Sequence, residues 1–312
     1  MNPRMNQLRV DKLLSGVAQR YRNDNYIAEQ ILPFVQVKEK TGKFAKFGKE
    51  NYRAYSGQLF RAPGTQAHTV DYSVSMGSYS CDERSAEKIV PDEFYKNFDA
   101  PYNPEEDAVS VLMDNIWVNQ ELALATTLGN TAIITQNTTL SGTSQWSDTT
   151  NSDPIANITT AINTVKTGSG LRPNVLAFCE DAYDKLKAHP LVREQLKYTG
   201  VMGNPSDDAL NMWLKSFFKI EDVIVGTSVY MASDEGQTND LDAVWTGNVW
   251  AIHRPKTPSV LRASFGYTFS DTPREVDVRR EDALKANVVR VSYSFDQNIM
   301  DASLAYLIKS AV

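Results

Sequence analysis

The stretch "PNVLAFCEDAYDKLKAHP", Pro173 to Pro190, poses the question on which the fold turns. An apolar run of β type ends at Cys179, two acids follow, and a helical segment leads to His189 and Pro190. A thiol at a strand-to-helix junction with an imidazole nearby is one way to build a nucleophilic enzyme. The plainer reading is one strand–helix unit of an α/β domain. In that reading Cys179 is a small buried residue. His189 then ends a helix, where a cation meets the negative end of the dipole ahead of a turn-setting proline.

The rest of the chain offers little to support chemistry. The histidines are His68, His189 and His253, and the cysteines are Cys81 and Cys179. No histidines are spaced as i, i+3 or i+4, and neither H-E-x-x-H nor C-x-x-C occurs, so no metal site is expected. A G-x-S-x-G elbow is absent. Gly42–Lys43 resembles the end of a phosphate loop, but Val37 stands where the leading glycine belongs. "GSG" at 168–170 precedes a strand rather than a helix, which removes a dinucleotide fingerprint. The carboxylates of "EEDA" and "DERSAEK" read as helix-start residues and a solvated face. No cofactor and no catalytic residue is predicted.

The chain has 312 residues, enough for a large core and about two domains. Hydrophobic residues make up 42% and charged residues 22%, which suits a soluble globular protein and excludes a disordered one. No run approaches the roughly 18 apolar residues of a membrane span. "MNPRMNQLRVDKLLSG" mixes charge into its apolar positions and is not a signal peptide. Two lone thiols fit a reducing compartment. A cytoplasmic origin without membrane contact is expected.

The net charge of −6 argues against a general affinity for nucleic acid. Between Lys38 and Arg61, however, seven Lys/Arg stand against two Glu. A basic arm on an acidic body suggests an acidic partner, and the body of another copy would serve. In this segment Phe44, Phe47, Tyr52, Tyr55, Leu59 and Phe60 alternate with lysines, and "APGTQ" marks a turn. The pattern predicts a long β-hairpin with two half-polar faces. Such a hairpin is marginal in water and should lean on a neighbour. Aromatic residues among lysines could also imitate a nucleic-acid platform, but the overall acidity favours a protein contact.

The clearest helix is "NPEEDAVSVLMDNIWVNQELALATTLGN". Asn103 is its cap, Pro104 its first residue, and Glu105, Glu106 and Asp107 favour the positive end of the dipole. Val109, Leu112, Met113, Ile116, Gln120, Ala123, Leu124 and Leu128 trace its buried stripe. At 1.5 Å per residue it forms a rod about 38 Å long. Before it, 5–32 read as two short helices with Leu8, Leu14, Val17, Ala18 and Tyr21 on one face. After it, a Ser/Thr/Asn-rich connector leads to an α/β domain at 150–255. There "SDPIANITTAINTV" is capped by Asp153, and "PSDDALNMWLKSFF" buries Leu210, Trp213, Leu214, Phe217 and Phe218. "EDVIVGTSVYMAS" is a strand, and "AVWTGNVWAIHRP" is a pair of strands joined at "TGN". The β-rich remainder, 256–312, must pair with earlier strands.

This order of parts resembles the major capsid proteins of tailed bacteriophages with the HK97-type fold. The resemblance is carried by "PFVQVKEKTGKFAKF", the helix above, "GLRPNVLAFCEDAYDKLKAHPLVREQLK" and "VVRVSYSFDQNIMDASLAYLIKSAV", and it spans the whole chain. It implies an α+β fold made of an N-arm (1–37), an extended hairpin or E-loop (38–80) and a P-domain (81–149) with its spine helix at 104–128. A central α/β A-domain (150–255) follows, and 256–312 complete the P- and A-domains. It also implies self-assembly into hexamers and pentamers of an icosahedral shell around double-stranded DNA, which is packaged non-specifically and to which an acidic body limits sticking. A separate scaffolding protein is expected because the arm begins almost at Met1, together with a portal and a decoration protein. The shell would be assembled in the host cytoplasm and reside in the virion. The hairpin would cover an adjacent subunit, with Lys43, Lys46, Lys49, Arg53 and Arg61 making contacts and Tyr52, Tyr55 and Phe60 as anchors. The same architecture serves encapsulins, bacterial shells that enclose cargo enzymes. A cytosolic α/β enzyme using Cys179 and His189 is the reading from a different class.

Overall fold

The computed structural model describes residues 9–20, 25–47, 60–67, 74–97, 103–198, 205–233, 237, 240–258 and 262–312. The N-terminal part holds β1 (Arg9–Val10), α1 (Lys12–Arg20), α2 (Ala28–Ile31), β2 (Phe34–Gln36) and the hairpin strands β3 (Thr41–Phe47) and β4 (Val74–Ser80). Then come β5 (Asp82–Pro91), α3 (Asp92–Asn97) and the long helix α4 (Pro104–Leu128). Its start matches the local chemistry: the Asn103 side chain accepts from the Glu105 N–H, and Pro104 opens the first turn. Leu8 and Tyr21, expected on the α1 face, lie outside the described residues, while Leu14 and Ala18 are buried.

The central part contains β6 (Asn137–Thr139), α5 (Pro154–Ser169), β7 (Val175–Cys179), α6 (Glu180–Ala188), α7 (Pro190–Tyr198), α8 (Asp207–Phe218) and β8 (Asp222–Gly226). It continues with β9 (Val229–Met231), β10 (Leu241–Ala243) and β11 (Val249–Ile252). The return consists of β12 (Gly266–Ser270), β13 (Glu275–Glu281), β14 (Ala286–Ile299) and β15 (Ala305–Lys309).

Two larger sheets organise these elements. One runs β1-β13-β14-β12-β2, with β5 also paired to the 14-residue β14. Its apolar face holds Val276, Val289 and Val291, which pack on Val109, Met113 and Trp117 of α4 and on Leu14 and Ala18 of α1. The other sheet runs β6-β15-β11-β7-β8. Every residue of β7 is buried, because both faces of this sheet are covered. Leu176 and Phe178 face a core with α5, α6, α7 and α8, whereas Val175, Ala177 and Cys179 face one with Leu124 and Leu128 of α4 and Ile27 and Ile31 of the arm. The α4 helix therefore spans both cores.

The return strands find earlier partners, as the sequence required: β12 runs parallel to β2, β14 antiparallel to β5, and β15 parallel to β6. Three sequence expectations change. The "TGN" segment is not a hairpin turn, since β10 pairs with β9 while β11 lies between β7 and β15. Phe217 is 48% exposed, on the edge of the α8 stripe rather than within it. The buried face of α4 is wider than its apolar stripe, because Trp117 and Glu121 are also buried, while Ala123 is only half-buried.

Candidate inter-subunit surface

The basic segment joins the body through the β3–β4 ladder, in which Thr41 pairs with Ser80 and Phe47 with Val74. Strand alternation turns Phe44 inward and leaves Lys43 exposed. The Phe44 ring stacks on Phe269 at 5.3 Å between centroids, and Tyr79 stacks on the same Phe269 at 4.9 Å. Cys81, Tyr267 and Met300 complete this small core. Gly77 is opposite Phe44, where a Cβ would come within 2.5 Å of the ring, so the cross-strand position has room for glycine alone. The hairpin root is thus anchored by aromatic packing rather than by charge.

Lys46 is half-buried, with Nζ 5.6 Å from the centre of the Phe44 ring. Phe60 is 91% exposed, and Arg61 is exposed next to it. They lead into a turn in which the Thr65 N–H donates to the Ala62 carbonyl and Gly64 adopts φ +83°. Lys49, Tyr52, Arg53 and Tyr55 lie outside the described residues. Among the described residues, Lys38, Lys40, Lys43, Lys46 and Arg61 form no ion pair within the chain. Exposed Arg61 next to an exposed aromatic ring is a feature suited to a partner.

Cys179 and His189 do not form a catalytic pair. The Cys179 thiol is buried, accepts the Asn248 N–H at 3.3 Å, and has its pKa pushed up to about 12 by desolvation. A thiol held protonated in this way is a poor nucleophile. His189 is fully buried and both ring nitrogens are engaged: Nδ1 accepts the Leu191 N–H, and Nε2 meets the Ser152 hydroxyl at 3.1 Å. Burial lowers its pKa, so it is a neutral imidazole tying the α6–α7 corner to the 141–153 connector, not the helix-end cation expected from sequence. Among the described residues no group of three or more His, Cys, Asp or Glu is placed to hold a metal.

One polar joint was invisible in the sequence. Glu121, fully buried on α4, accepts the Ala28 N–H at 2.5 Å and the Trp245 indole N–H at 2.6 Å. It links the arm, the long helix and the loop before β11. Nearby, Arg274 stacks on Trp117 and Tyr293 and pairs with Glu29 at 2.6 Å. An acid inside an apolar stripe was the one available sign, and helical periodicity alone does not identify its partners.

No family model matches the chain. It is 30% identical over 319 aligned positions to the major capsid protein of Burkholderia phage BcepMu, covering 98% of each chain. The chain belongs to the phage major capsid proteins. In a capsid protein the feature to explain is a surface for other copies, and the exposed basic hairpin is a candidate for it. The fold agrees with the family. A crystal structure of a phage-related protein from Bordetella bronchiseptica RB50 superposes with a TM-score of 0.77 at 27% identity, covering 97% of each chain. The capsid structure of cyanophage P-SCSP1u shares the fold alone, with a TM-score of 0.57 at 11% identity over 93% of this chain and 89% of that one. Among the described residues no helix is long and apolar enough to cross a membrane.

Proposed function

We propose that this capsid protein has the HK97-type form of the α+β fold and closes, as hexamers and pentamers, into an icosahedral shell around double-stranded DNA. Residues 1–37, 38–80, 81–149 and 150–255 act as N-arm, E-loop, P-domain and A-domain, with 256–312 completing the last two. The observation that carries this reading is the full-length match to a phage major capsid protein. The exposed arm supports it: among the described residues Lys43, Lys46 and Arg61 form no ion pair, and Phe60 is 91% exposed. With Lys49, Arg53, Tyr52 and Tyr55 they form the contact to an adjacent subunit.

The role is structural rather than enzymatic. DNA is enclosed without sequence readout, a scaffolding protein and a portal act during assembly, and a decoration protein binds outside. Assembly takes place in the host cytoplasm. The phage relative supports a genome container over a cargo shell. Expression of the chain followed by electron microscopy tests the proposal. Closed shells or capsomer-sized rings are the expected product, and a chain that remains monomeric at every concentration contradicts it.

A further inference from the structure

The sheet formed by β5, β14 and β13 turns Val289 and Val291 of β14 toward α4 and α1. Strand alternation puts Ser292 and Ser294 of the same strand on its opposite face. The register then sets Glu83 beside Ser294 and Glu275 beside Ser292, on that same face. Asp271 joins them from the loop after β12, accepting the Ser294 hydroxyl at 2.5 Å and the Thr272 hydroxyl at 3.0 Å. Together these groups line a pocket of about 260 Å³. The Ser292 Oγ is buried in its wall and has no hydrogen-bond partner among the described residues.

Three carboxylates line this pocket against one cation, Lys40. Glu83 is exposed, Asp271 and Glu275 are half-buried, and none of the three forms an ion pair among the described residues. In the next rows of the sheet the charges cancel, Arg290 pairing with Asp277 at 2.5 Å and Arg279 with Glu87 at 3.0 Å. The negative excess is therefore local to the pocket. The arm carries the opposite excess, with five Lys/Arg and one Glu in residues 43–61. Its root borders the pocket through Lys40, and β3 then runs for six residue steps of about 3.3 Å, roughly 20 Å in all, from Thr41 to Phe47. Lys49, Arg53 and Arg61 follow only after that, and Arg61 is exposed beside Phe60. An acidic pocket at the root thus matches a basic tip, and the strands of the ladder separate the two.

We infer that this pocket receives the basic tip of the arm of a second copy, with Arg53 and Arg61 meeting Glu83, Asp271 and Glu275. Root and tip are different surfaces, so the contact is head-to-tail, and repeating it generates rings or open chains rather than a two-fold dimer. This inference rests on the reading that the hairpin contacts an adjacent subunit, and it names the place on that subunit where the arm lands.

The test reverses charge on each side in the full chain. One variant carries Glu83→Lys with Glu275→Lys, the other Arg53→Glu with Arg61→Glu. Circular dichroism checks that each is folded, and sedimentation measures the assembled fraction of each alone and of their mixture. Each alone should assemble at least about tenfold less than wild type, because like charges then face each other across the contact. The mixture should recover assembly, since each arm finds an opposite charge on the other variant, which a contact within one chain could not give. If the lysines unfold the chain, Glu83→Gln with Glu275→Gln takes their place and should still lower the assembled fraction. Wild-type assembly by the folded pocket variant, or a mixture that recovers nothing, overturns the pocket as the landing place. If the arm variant assembles poorly in either case, the hairpin contact itself stands. Wild-type assembly by the arm variant as well, or a wild type that is monomeric throughout, overturns both.

Discussion

Glu121 shows how a single buried group can depend on pH. Its carboxylate receives N–H donors from Ala28 and Trp245, yet desolvation dominates and raises its pKa from 4.5 to about 7. The folded state therefore holds the proton more tightly than the unfolded chain does. Its contribution is most favourable below pH 4.5 and is lost as pH rises toward about 7. Glu121→Gln removes that dependence. On chemical denaturation across this pH range, the variant's stability relative to wild type should rise with pH by roughly 1–3 kcal/mol. A difference that is flat with pH would show that Glu121 does not titrate there. The thiols make a separate prediction. Cys81 and Cys179 are fully buried, with pKa values pushed up to about 11 and about 12, both mainly by desolvation. Neither should react with a thiol reagent in the folded chain at neutral pH, and both should react after denaturation. Cys179→Ala should cost about 1 kcal/mol of stability and leave assembly unchanged.

At the scale of elements, the basic hairpin and the strand ladders respond to different changes. Reversing Lys46 and Lys49 to Glu leaves the Phe44–Phe269 anchor in place, so the monomer should fold as wild type by circular dichroism while shell yield falls. Normal shells from that double variant would remove the hairpin from the assembly contact. Gly266 belongs to the folding problem. A Cβ there would lie 2.5 Å from the Asn298 backbone oxygen of β14 and 2.7 Å from Leu32, so Gly266→Ala should destabilise the chain by about 1–3 kcal/mol in denaturant melts.

The elements that could be read from sequence are those set by local chemistry. Asn103 and Pro104 begin α4, Asp153 caps α5, and the unbroken apolar run at 175–179 is a strand buried on both faces. The pairing of β9 with β10 could not be read, because "TGN" has turn chemistry whether or not a hairpin forms around it. Here Gly247, at φ +58°, turns the chain into β11 instead. The neutral state of His189 and the burial of Glu121 were hidden for a similar reason. Both depend on groups far away in sequence, Ser152 for one and Ala28 and Trp245 for the other. On the candidate surface, the cations of the arm were visible as composition. The exposure of Met212, Val229 and Leu241 was not, since an apolar residue in an element is expected to be covered.

At the scale of the molecule, the described residues form three large cores and a small one under the hairpin root, and leave several apolar side chains exposed. Both sheets share α4 and draw on the return strands, and among the described residues the exposed large apolar side chains include Phe60 on the basic arm, Met212 and Phe217 on α8, and Val229, Met231 and Leu241 on β9 and β10. The most direct measurement is a cryo-electron microscopy reconstruction of the particle formed by the purified chain. The account predicts a closed shell in which Phe60 and Arg61 of each hairpin are buried against an adjacent copy. A particle whose hairpins contact only their own chain, or the absence of any particle, would contradict it.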